Sequence, residues 1–392
     1  MANLFDRDVH CLLGLPFDRI SMPDAVQQVR EAAALRARCF VSTANLNFLV
    51  GCRLDPQFRN SVINSDPSVV DGMPLVWIAR FLRIPLLERV AGSDLFEKLR
   101  EKAAPRLRVY FFGGMEGVAE RACHILNTES SGLGCVGFES PGFGSIENMS
   151  SEATIEKINA SGADFLVVSL GAKKGQAWIE HNRARISVPV ISHLGAVVNF
   201  VAGTVLRAPR WMQQSGLEWL WRIKEEPGLW RRYAADGWAL LRLVVTRVIP
   251  YAWFMYRHKA QGYDLGTASI AMSEVEDEII ISLRGAWTHD NLQQLRQCFS
   301  SAAQTAKDIR LELEQASYAD SSFIGLLLLL YGDRTRQGKK LSIASVSQSM
   351  HRIFYYSCTE FLIDIPATLT QPGIKTTHPE SQHRRHEFTT PT

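Results

Sequence analysis

Four short apolar runs, several of them ending in glycine, constrain the fold of this chain more than any other feature. They read RCFVST (38–43), RVYFFGG (108–114), DFLVVSLG (164–171) and PVISHLG (189–195). Continuous hydrophobicity of this kind is typical of strands that are buried on both faces of a parallel sheet. Because helical stretches separate the runs, the pattern predicts an α/β fold with an open, Rossmann-like parallel sheet. Such sheets bind ligands beyond the carboxyl ends of their strands, so candidate functional residues are sought there.

The composition indicates a globular protein of more than one domain. The 392 residues are 46% hydrophobic and 21% charged, which is enough for a sizeable core. A formal net charge of +3 gives no indication of nucleic-acid binding. The 7 cysteines are irregularly spaced and form no C-x-x-C motif, which predicts reduced thiols in a cytoplasmic protein. The first ten residues, MANLFDRDVH, contain no apolar run and predict no signal peptide.

A basic appendage with many tryptophans is predicted at 204–260. It is rich in Lys and Arg and holds six of the 9 tryptophans, a mixture that suits phosphate binding or contact with a membrane surface. The stretch 238–256 is nearly long enough to span a bilayer, but Arg242 and Arg247 interrupt it. We therefore expect peripheral attachment to the inner face of the cell membrane.

A second, smaller α/β unit is predicted over 270–369. Its strands and helices alternate, and the polar segment QGYDLGTAS (261–269) is expected to be a linker to the first unit, residues 1–262. The final segment, 370–392, is polar and is predicted to be disordered.

Polar residues follow two of the predicted strands of the first unit. Thr43 and Asn45 lie in STANLNFL, and Asp71 lies in VVDGMP after another apolar run. A carboxylate at a strand end suits a general base that deprotonates a hydroxyl nucleophile. The alternative for each residue is a turn or helix N-cap. Arg89, in ERVAGSDL, is a candidate phosphate contact.

Glycines after a strand supply a further candidate phosphate site. Gly113 and Gly114 open a helix, so their backbone N–H groups are expected to face an anion. The motif is not G-x-G-x-x-G, but Glu139 near the end of the next strand leaves a nicotinamide-dependent dehydrogenase as an alternative. Gln176 also follows a strand-end glycine.

Arginines of the appendage are candidates for binding diphosphate, because guanidinium groups bind phosphates through paired hydrogen bonds. The candidates are Arg207, Arg222, Arg231 and Arg232. No metal site is predicted. The only D-x-D sequence, Asp6-Arg7-Asp8, is expected to lie in a frayed N-terminus.

The motifs between positions 38 and 233 together resemble the WecG/TagA/CpsF glycosyltransferases. They are, in order, STANLNFL, DGMPLVW, RVAGSDL, FFGG, PGFGS, LGAKKGQAWI, GAVVNFVAG, RAPRW, GLEWLWR and EP–WRR. The resemblance implies inverting, metal-independent transfer of a sugar, often an N-acetylhexosamine, from a UDP-sugar. The implied acceptor is a polyprenyl-diphosphate-linked glycan at the inner membrane leaflet, as in exopolysaccharide or cell-surface glycan synthesis. No cofactor is implied, since arginines are expected to neutralise the departing UDP.

The resemblance also implies roles for individual residues. Asp71 corresponds to the catalytic base, and Thr43, Asn45 and Arg89 to further active-site residues. Arg222 and Arg232 correspond to arginines that close over the diphosphate. Two positions depart from the family pattern: Gly175 stands where a glutamine is common, and Leu229 where many members have arginine.

The second unit resembles a STAS domain, the fold of anti-sigma-factor antagonists. The resemblance rests on YADSSFIGLLLLL (318–330) and on the order of strands and helices. It implies that Ser321 can be phosphorylated, the alternative being a helix N-cap. We expect this unit to regulate or localise the enzyme through a protein partner. Two other functions are left open, a non-catalytic adaptor on a transferase scaffold and a nucleotide-binding oxidoreductase.

Overall fold

The computed structural model describes residues 3–129, 131–261 and 268–363. Most of the predicted linker (261–269) and all of the predicted disordered tail (370–392) lie outside the described residues.

The chain begins with a buried β-hairpin. Strands β1 (Val9–Leu12) and β2 (Leu15–Asp18) pair antiparallel, and all eight of their residues are buried. Arg7 donates hydrogen bonds to both carboxylate oxygens of Asp18, at 2.9 and 2.7 Å. The prediction of a frayed N-terminus is therefore wrong, because the short apolar strands are enclosed by later parts of the chain.

A six-stranded parallel sheet forms the centre of the first unit, with strand order β4-β3-β8-β7-β5-β6. The strands are β3 (Cys39–Ala44), β4 (Ser68–Val70), β5 (Leu107–Gly113), β6 (Leu133–Glu139), β7 (Phe165–Ser169) and β8 (Val190–His193). The four apolar runs of the sequence become β3, β5, β7 and β8, which confirms the predicted fold class.

Helices cover both faces of this sheet, and three separate apolar clusters fill the space around it. They are α1 (Met22–Ala34), α2 (Leu46–Leu54), α3 (Pro56–Ile63), α4 (Met73–Phe81), α5 (Gly92–Arg100), α6 (Val118–Thr128), α7 (Glu152–Ala160), α8 (Ala172–Asn182) and α9 (Val197–Ala202).

The basic appendage is helical. It comprises α10 (Arg210–Gln214), α11 (Glu218–Glu225), α12 (Trp230–Leu243) and α13 (Ile249–Gln261), with a π-helical turn at Val244–Val248 between the last two. Among the described residues, one helical stretch, Pro227–His258, is long and apolar enough to cross a membrane by length and composition.

The second unit is a small α/β domain. Its strands are β9 (Ser269–Val275), β10 (Glu278–Trp287), β11 (Asp308–Leu313), β12 (Ala316–Ala319) and β13 (Leu341–Val346). Its helices are α14 (Gln293–Ala303), α15 (Ser321–Arg336) and α16 (Gln348–Tyr356). The strand order is β12-β10-β11-β13, with β9 antiparallel to β10 and the other pairs parallel.

The two units share one hydrophobic core, which differs from the expectation of units that are joined only by a linker. Side chains of β1 and β2, such as Val9 and Phe17, belong to the same buried cluster as Phe323 and Leu327 of α15. At Gly325 a Cβ atom would collide with the carbonyl oxygen of Val9, so the missing side chain lets the helix approach the hairpin. The leucine run of α15 is buried between this hairpin and the other elements of its own domain.

One cysteine pair corrects the prediction of reduced thiols throughout. Cys123 of α6 and Cys135 of β6 form a disulfide with a Cα–Cα distance of 5.0 Å. The pair forms because α6 leads directly into the neighbouring β6, a proximity that cysteine spacing alone does not indicate. Cys11, Cys39, Cys52 and Cys358 are free and buried, as expected, and Cys298 is free and half-buried.

Candidate active site

A cleft of about 620 Å³ lies at the carboxyl end of the parallel sheet and is closed on one side by the appendage. Residues that follow β3, β4, β7 and β8 form its floor, and α11 and α12 form its wall. The volume is in the range of small-molecule sites. Of the residues singled out in the sequence, the cleft brings together Thr43, Asn45, Asp71, Arg89, Arg222 and Arg232.

Asp71 directly follows β4 and faces the cleft. Its Oδ2 accepts a hydrogen bond from the backbone N–H of Gly92 at 3.2 Å. Burial raises the pKa of Asp71 to about 6, although the nearby Arg89 acts in the opposite direction. A carboxylate with this pKa accepts a proton near neutral pH more readily than an ordinary aspartate does.

Thr43 and Asn45 lie beside Asp71 at the end of β3. Thr43 is buried, and a Cβ atom at Gly92 would come within 2.9 Å of its Oγ1. Asn45 caps α2 by accepting a hydrogen bond from Phe48 N at 3.2 Å, and it also lines the cleft. The sequence left two alternatives for Asn45, a helix N-cap and a residue of the site. The structure agrees with both.

Arg89 ties the sheet to the appendage. It donates to Glu218 of α11 at 3.1 Å and to Asp94 of α5 at 2.5 Å. Arg207 donates to the other oxygen of Asp94, also at 2.5 Å, and to Ser93. Arg207 is thus engaged at the edge of the cleft without lining it, and its role toward a ligand stays a prediction.

Two arginines of the appendage face the cleft. The Nε atom of Arg222 is buried and has no hydrogen-bond partner among the residues that the structure describes. The guanidinium group of Arg222 lies over the Phe200 ring, and that of Arg232 lies over the Tyr233 ring. Arg231 lies beside Trp230 and does not line the cleft, although it and Arg232 are both exposed. Consecutive residues of a helix point in different directions. Arg231 and Arg232 therefore lie on different sides of α12, which their neighbouring positions in the sequence do not indicate.

Gly113, Gly114 and Gln176 do not line the cleft in the described structure, contrary to expectation. Gly114 N donates to Ser169 O at 2.8 Å, so this N–H group is used within the sheet. A Cβ at Gly113 would lie 2.7 Å from the same oxygen, and its φ is 102°, so close packing requires glycine here. Gln176 is fully buried and donates to Ser42 Oγ at 3.2 Å.

Glu139 lies at the end of β6 and is held by α7. Its carboxylate accepts a hydrogen bond from Thr154 Oγ1 at 2.8 Å and pairs with Lys157 at 3.4 Å. These contacts give the carboxylate a structural partner and do not support the ribose-binding role of the dehydrogenase alternative.

The polar residues of the cleft that sequence reasoning missed include His193, Glu218 and Asp236. His193 ends β8 and bonds through Nε2 to Leu170 O at 2.6 Å, and burial lowers its pKa. Asp236 of α12 accepts from Asn47 at 3.2 Å, and burial raises its pKa. His193 lies in the motif PVISHLG and Glu218 in the motif GLEWLWR. These motifs could have identified both residues as candidates for the site.

The packing around Gly175 explains why this position departs from the family pattern. A Cβ atom at this position would collide with the ring of His193, so the glycine leaves room for that ring at the floor of the cleft. The substitution therefore fits the local packing of this chain.

Ser321 is the first residue of α15 and lies between the two units. Its Oγ shares a hydrogen bond of 3.0 Å with Nδ1 of His10 in β1. The N-cap of α15 is Asp320, which accepts from the backbone of Ser322 and Phe323, so the N-cap alternative for Ser321 is wrong.

The parallel sheet, with an acidic residue and arginines at its carboxyl edge, defines an α/β enzyme of the glycosyltransferase class. The Glycosyl transferase WecG/TagA/CpsF family matches residues 10–252, and the chain belongs to that family. The family described as Mlab, STAS domain, matches residues 270–359, so the second unit is a STAS domain.

Several curated relatives share one name, N-acetylglucosaminyldiphosphoundecaprenol N-acetyl-beta-D-mannosaminyltransferase. The Bacillus spizizenii protein is 28% identical over 194 residues, which are 49% of this chain and 74% of that protein. The Bacillus subtilis protein is 25% identical over 193 residues, 49% of this chain and 73% of that protein. The Staphylococcus aureus (strain MW2) protein is 22% identical over 224 residues, which are 56% of this chain and 85% of that protein.

Among solved structures, the unphosphorylated anti-sigma factor antagonist SpoIIAA is similar to part of the chain. It has 22% identity and a TM-score of 0.23, covering 24% of this chain and 86% of that chain.

Proposed function

We propose that this glycosyltransferase moves a sugar, an N-acetylhexosamine or related hexose, from a UDP-sugar to a polyprenyl-diphosphate-linked acceptor. The reaction inverts the anomeric centre and serves exopolysaccharide or cell-surface glycan synthesis. The observation that carries the proposal is that Asp71, with its raised pKa, shares one cleft with Arg222 and Arg232.

Asp71 acts as the general base. It accepts the proton of the acceptor hydroxyl while that oxygen attacks the anomeric carbon of the donor from the face opposite the UDP group. The hydrogen bond from Gly92 N fixes the carboxylate, and the pKa of about 6 leaves it ionised and basic at neutral pH.

Arg222 and Arg232 neutralise the diphosphate of the departing UDP. The unpartnered Nε of Arg222 supports this role, because a buried guanidinium N–H without an acceptor is costly unless a ligand supplies one. Fixed positive charge in a partly buried cleft stabilises the leaving group in the transition state, and no metal ion or cofactor is required for the transfer step.

The acceptor assignment draws on the names of the relatives, which describe transfer to N-acetylglucosaminyldiphosphoundecaprenol. An acceptor with a lipid tail requires an enzyme that works at a membrane surface. The appendage, which forms one wall of the cleft, supports such a location.

An exposed apolar stripe on the long helical stretch supports attachment to the inner face of the cell membrane. Its members recur every three or four residues along one side of the helices and are Trp238, Leu241, Val245, Ile249, Trp253 and Tyr256. Aromatic and aliphatic side chains of this kind suit the boundary between head groups and acyl chains. We define these six residues as the membrane stripe.

Peripheral attachment is favoured over a span because the opposite face of the same helices packs on the STAS domain. Tyr251 and Phe254 are buried against Tyr356 of α16. Arg247 donates to Glu360 at 2.5 Å, a bond that a spanning helix would lose.

A UDP-release assay tests the proposed function. The full-length protein is incubated with individual UDP-sugars, with and without a polyprenyl-diphosphate-linked N-acetylglucosamine acceptor. We expect UDP release with at least one donor that depends on the acceptor and is lost in Asp71→Asn. Binding of UDP without turnover for any donor would favour the adaptor alternative, and binding of a nicotinamide nucleotide in place of UDP would favour the oxidoreductase.

A further inference from the structure

Three side chains meet where the hairpin of the transferase unit contacts the STAS domain. They are Asp8, which precedes β1, His10 of β1 and His289, which follows β10. One ligand atom from each, a carboxylate oxygen or an imidazole nitrogen, lies within 4.8 Å of the other two. These residues are distinct from those that line the described cleft.

Two of these atoms are buried without a hydrogen-bond partner in the described part of the chain, Asp8 Oδ1 and His10 Nε2. His10 is only 1% exposed. A buried polar atom that is left unpaired is destabilising, so such atoms call for an explanation. Here the two atoms face each other across 3.4 Å.

The distances from Asp8 to the two imidazoles are close to those expected around one shared cation. Asp8 Oδ1 is 3.4 Å from His10 Nε2 and 3.7 Å from His289 Nδ1. Ligand atoms bonded to zinc at about 2.0–2.1 Å in a tetrahedral arrangement lie about 3.3–3.4 Å apart. The other oxygen of Asp8 faces Arg19 at 3.4 Å, which leaves Oδ1 as a single-oxygen ligand.

Contacts behind the ligands orient them. Nδ1 of His10 is bonded to Ser321 Oγ, so a proton on Nδ1 leaves the lone pair of Nε2 directed at Asp8. The backbone N–H of His289 donates to Asp320 at 2.9 Å. The bond at the ring of His10 is of the kind that holds the tautomer and orientation of metal-binding histidines, whereas the bond of His289 fixes only its backbone.

We propose that Asp8, His10 and His289 bind one divalent transition-metal ion, with Zn²⁺ the best match to two imidazoles and one carboxylate. His289 is half exposed, so water completes the coordination. The ion joins residues of the transferase unit to a residue of the STAS domain. It stabilises the interface between the units and takes no part in sugar transfer.

Zinc binding by the full-length protein tests the proposal. His378, His383 and His386 are replaced by Ala in every protein, so that histidines near the C-terminus supply no ligand, and any affinity tag is removed. Proteins are dialysed against buffered Zn²⁺, and bound metal is measured by mass spectrometry. We expect one equivalent in the parent and at least about tenfold weaker binding in His289→Ala and Asp8→Asn, since even outer-shell changes cost that much.

Two further variants separate ligation from a structural effect. His351→Ala removes an exposed histidine of α16 outside the cluster and should leave zinc binding unchanged. His289→Cys keeps a ligand and should retain binding, with a thiolate-to-cobalt charge-transfer band when Co²⁺ replaces zinc. A parent that binds no zinc, an affinity unchanged in His289→Ala, or a cobalt complex of His289→Cys without that band would each overturn the proposal.

Discussion

Arg89 donates a hydrogen bond to Glu218 at 3.1 Å, although 129 residues separate them in the sequence. Arg89 belongs to the sheet side of the cleft and Glu218 to the first turn of α11 in the appendage. Both residues are largely buried, with 15% and 22% of their side chains exposed. The ion pair therefore holds the appendage beside Asp71, so that the base and the arginines face the same space.

Replacing Asp71 tests its role as base. Asp71→Asn keeps the size of the side chain but cannot accept the proton, so we expect turnover to fall by about 10²–10⁴ with UDP affinity little changed. Acceptor-dependent UDP release and equilibrium UDP binding measure the two quantities. Asp277→Asn, in an exposed turn of the STAS domain, is the matched control and should retain activity. Near-normal turnover of Asp71→Asn would remove this residue from the mechanism.

The raised pKa of Asp71 predicts an acid limb in the pH profile. The base works only when ionised, so kcat/KM should rise with pH and level off above a midpoint near 6. An ordinary aspartate would place this midpoint about two pH units lower. Initial rates between mildly acidic and mildly alkaline pH measure the limb. If the residual activity of Asp71→Asn kept the same limb, another group would be responsible.

Two adjacent arginines form a natural pair for testing the diphosphate contacts. Both are exposed, but Arg232 lines the cleft and Arg231 does not. We expect Arg232→Ala, like Arg222→Ala, to weaken UDP binding by roughly 10–100-fold, the loss expected for one charge-assisted hydrogen bond. Arg231→Ala should leave UDP binding unchanged. Calorimetry in detergent separates this effect from membrane binding, and equal losses in Arg231→Ala and Arg232→Ala would contradict the assignment.

The membrane stripe predicts a specific effect on vesicle binding. Trp238→Ser and Trp253→Ser together remove two exposed aromatic anchors, so association with vesicles that contain anionic lipid should fall, while turnover of a soluble acceptor analogue stays normal. Phe143→Ser removes an even more exposed aromatic outside the stripe and serves as control. Co-sedimentation measures binding. Resistance of the parent to both salt and alkaline extraction would instead indicate a spanning helix.

The shared core predicts that the two units unfold together. Gly325→Ala places a methyl group against Val9 O and should lower the free energy of unfolding by about 1–3 kcal/mol, in a single transition. Gly237→Ala, at a helical glycine with nothing within 4 Å, is the control and should not destabilise. Thermal unfolding followed by circular dichroism makes the comparison. Two separate transitions in the parent would show that the units are independent.

The shared core also changes the expectation for a shortened chain. A protein that ends at Gly262 would expose the apolar surface of β1 and β2 that α15 covers. We therefore expect it to aggregate or unfold at a lower temperature, rather than to behave as a separate catalytic domain. If only a linker joined the two units, the first unit would be expected to stay folded without the second.

The sequence by itself determined the parallel sheet and the position of Asp71. Long apolar runs followed by glycine are local signals, because burial on both faces demands them whatever the rest of the chain does. The run before Asp71 becomes β4, and the residue after it must then lie at the carboxyl edge. Motif spacing likewise identified the family that matches 10–252.

Local signals did not distinguish residues that line the cleft from residues that pack beneath it. Gly114 directly follows a strand, as Asp71 does, and Gln176 lies in the helix after a strand, yet their polar groups bond to Ser169 and Ser42 inside the fold. Which side of a turn faces a ligand depends on the neighbouring strands and helices, and a single stretch of sequence does not contain that information.

Only the tertiary structure decided which distant residues meet. Arg89 with Glu218, Cys123 with Cys135, and Asp8 with His289 are paired by strand order, by helix packing and by the contact between the two units. A hydrophobic pattern specifies which face of an element is buried but not what it is buried against. That choice is made when loops close and complementary surfaces pack, and it brought His10 and Ser321 within 3.0 Å of each other.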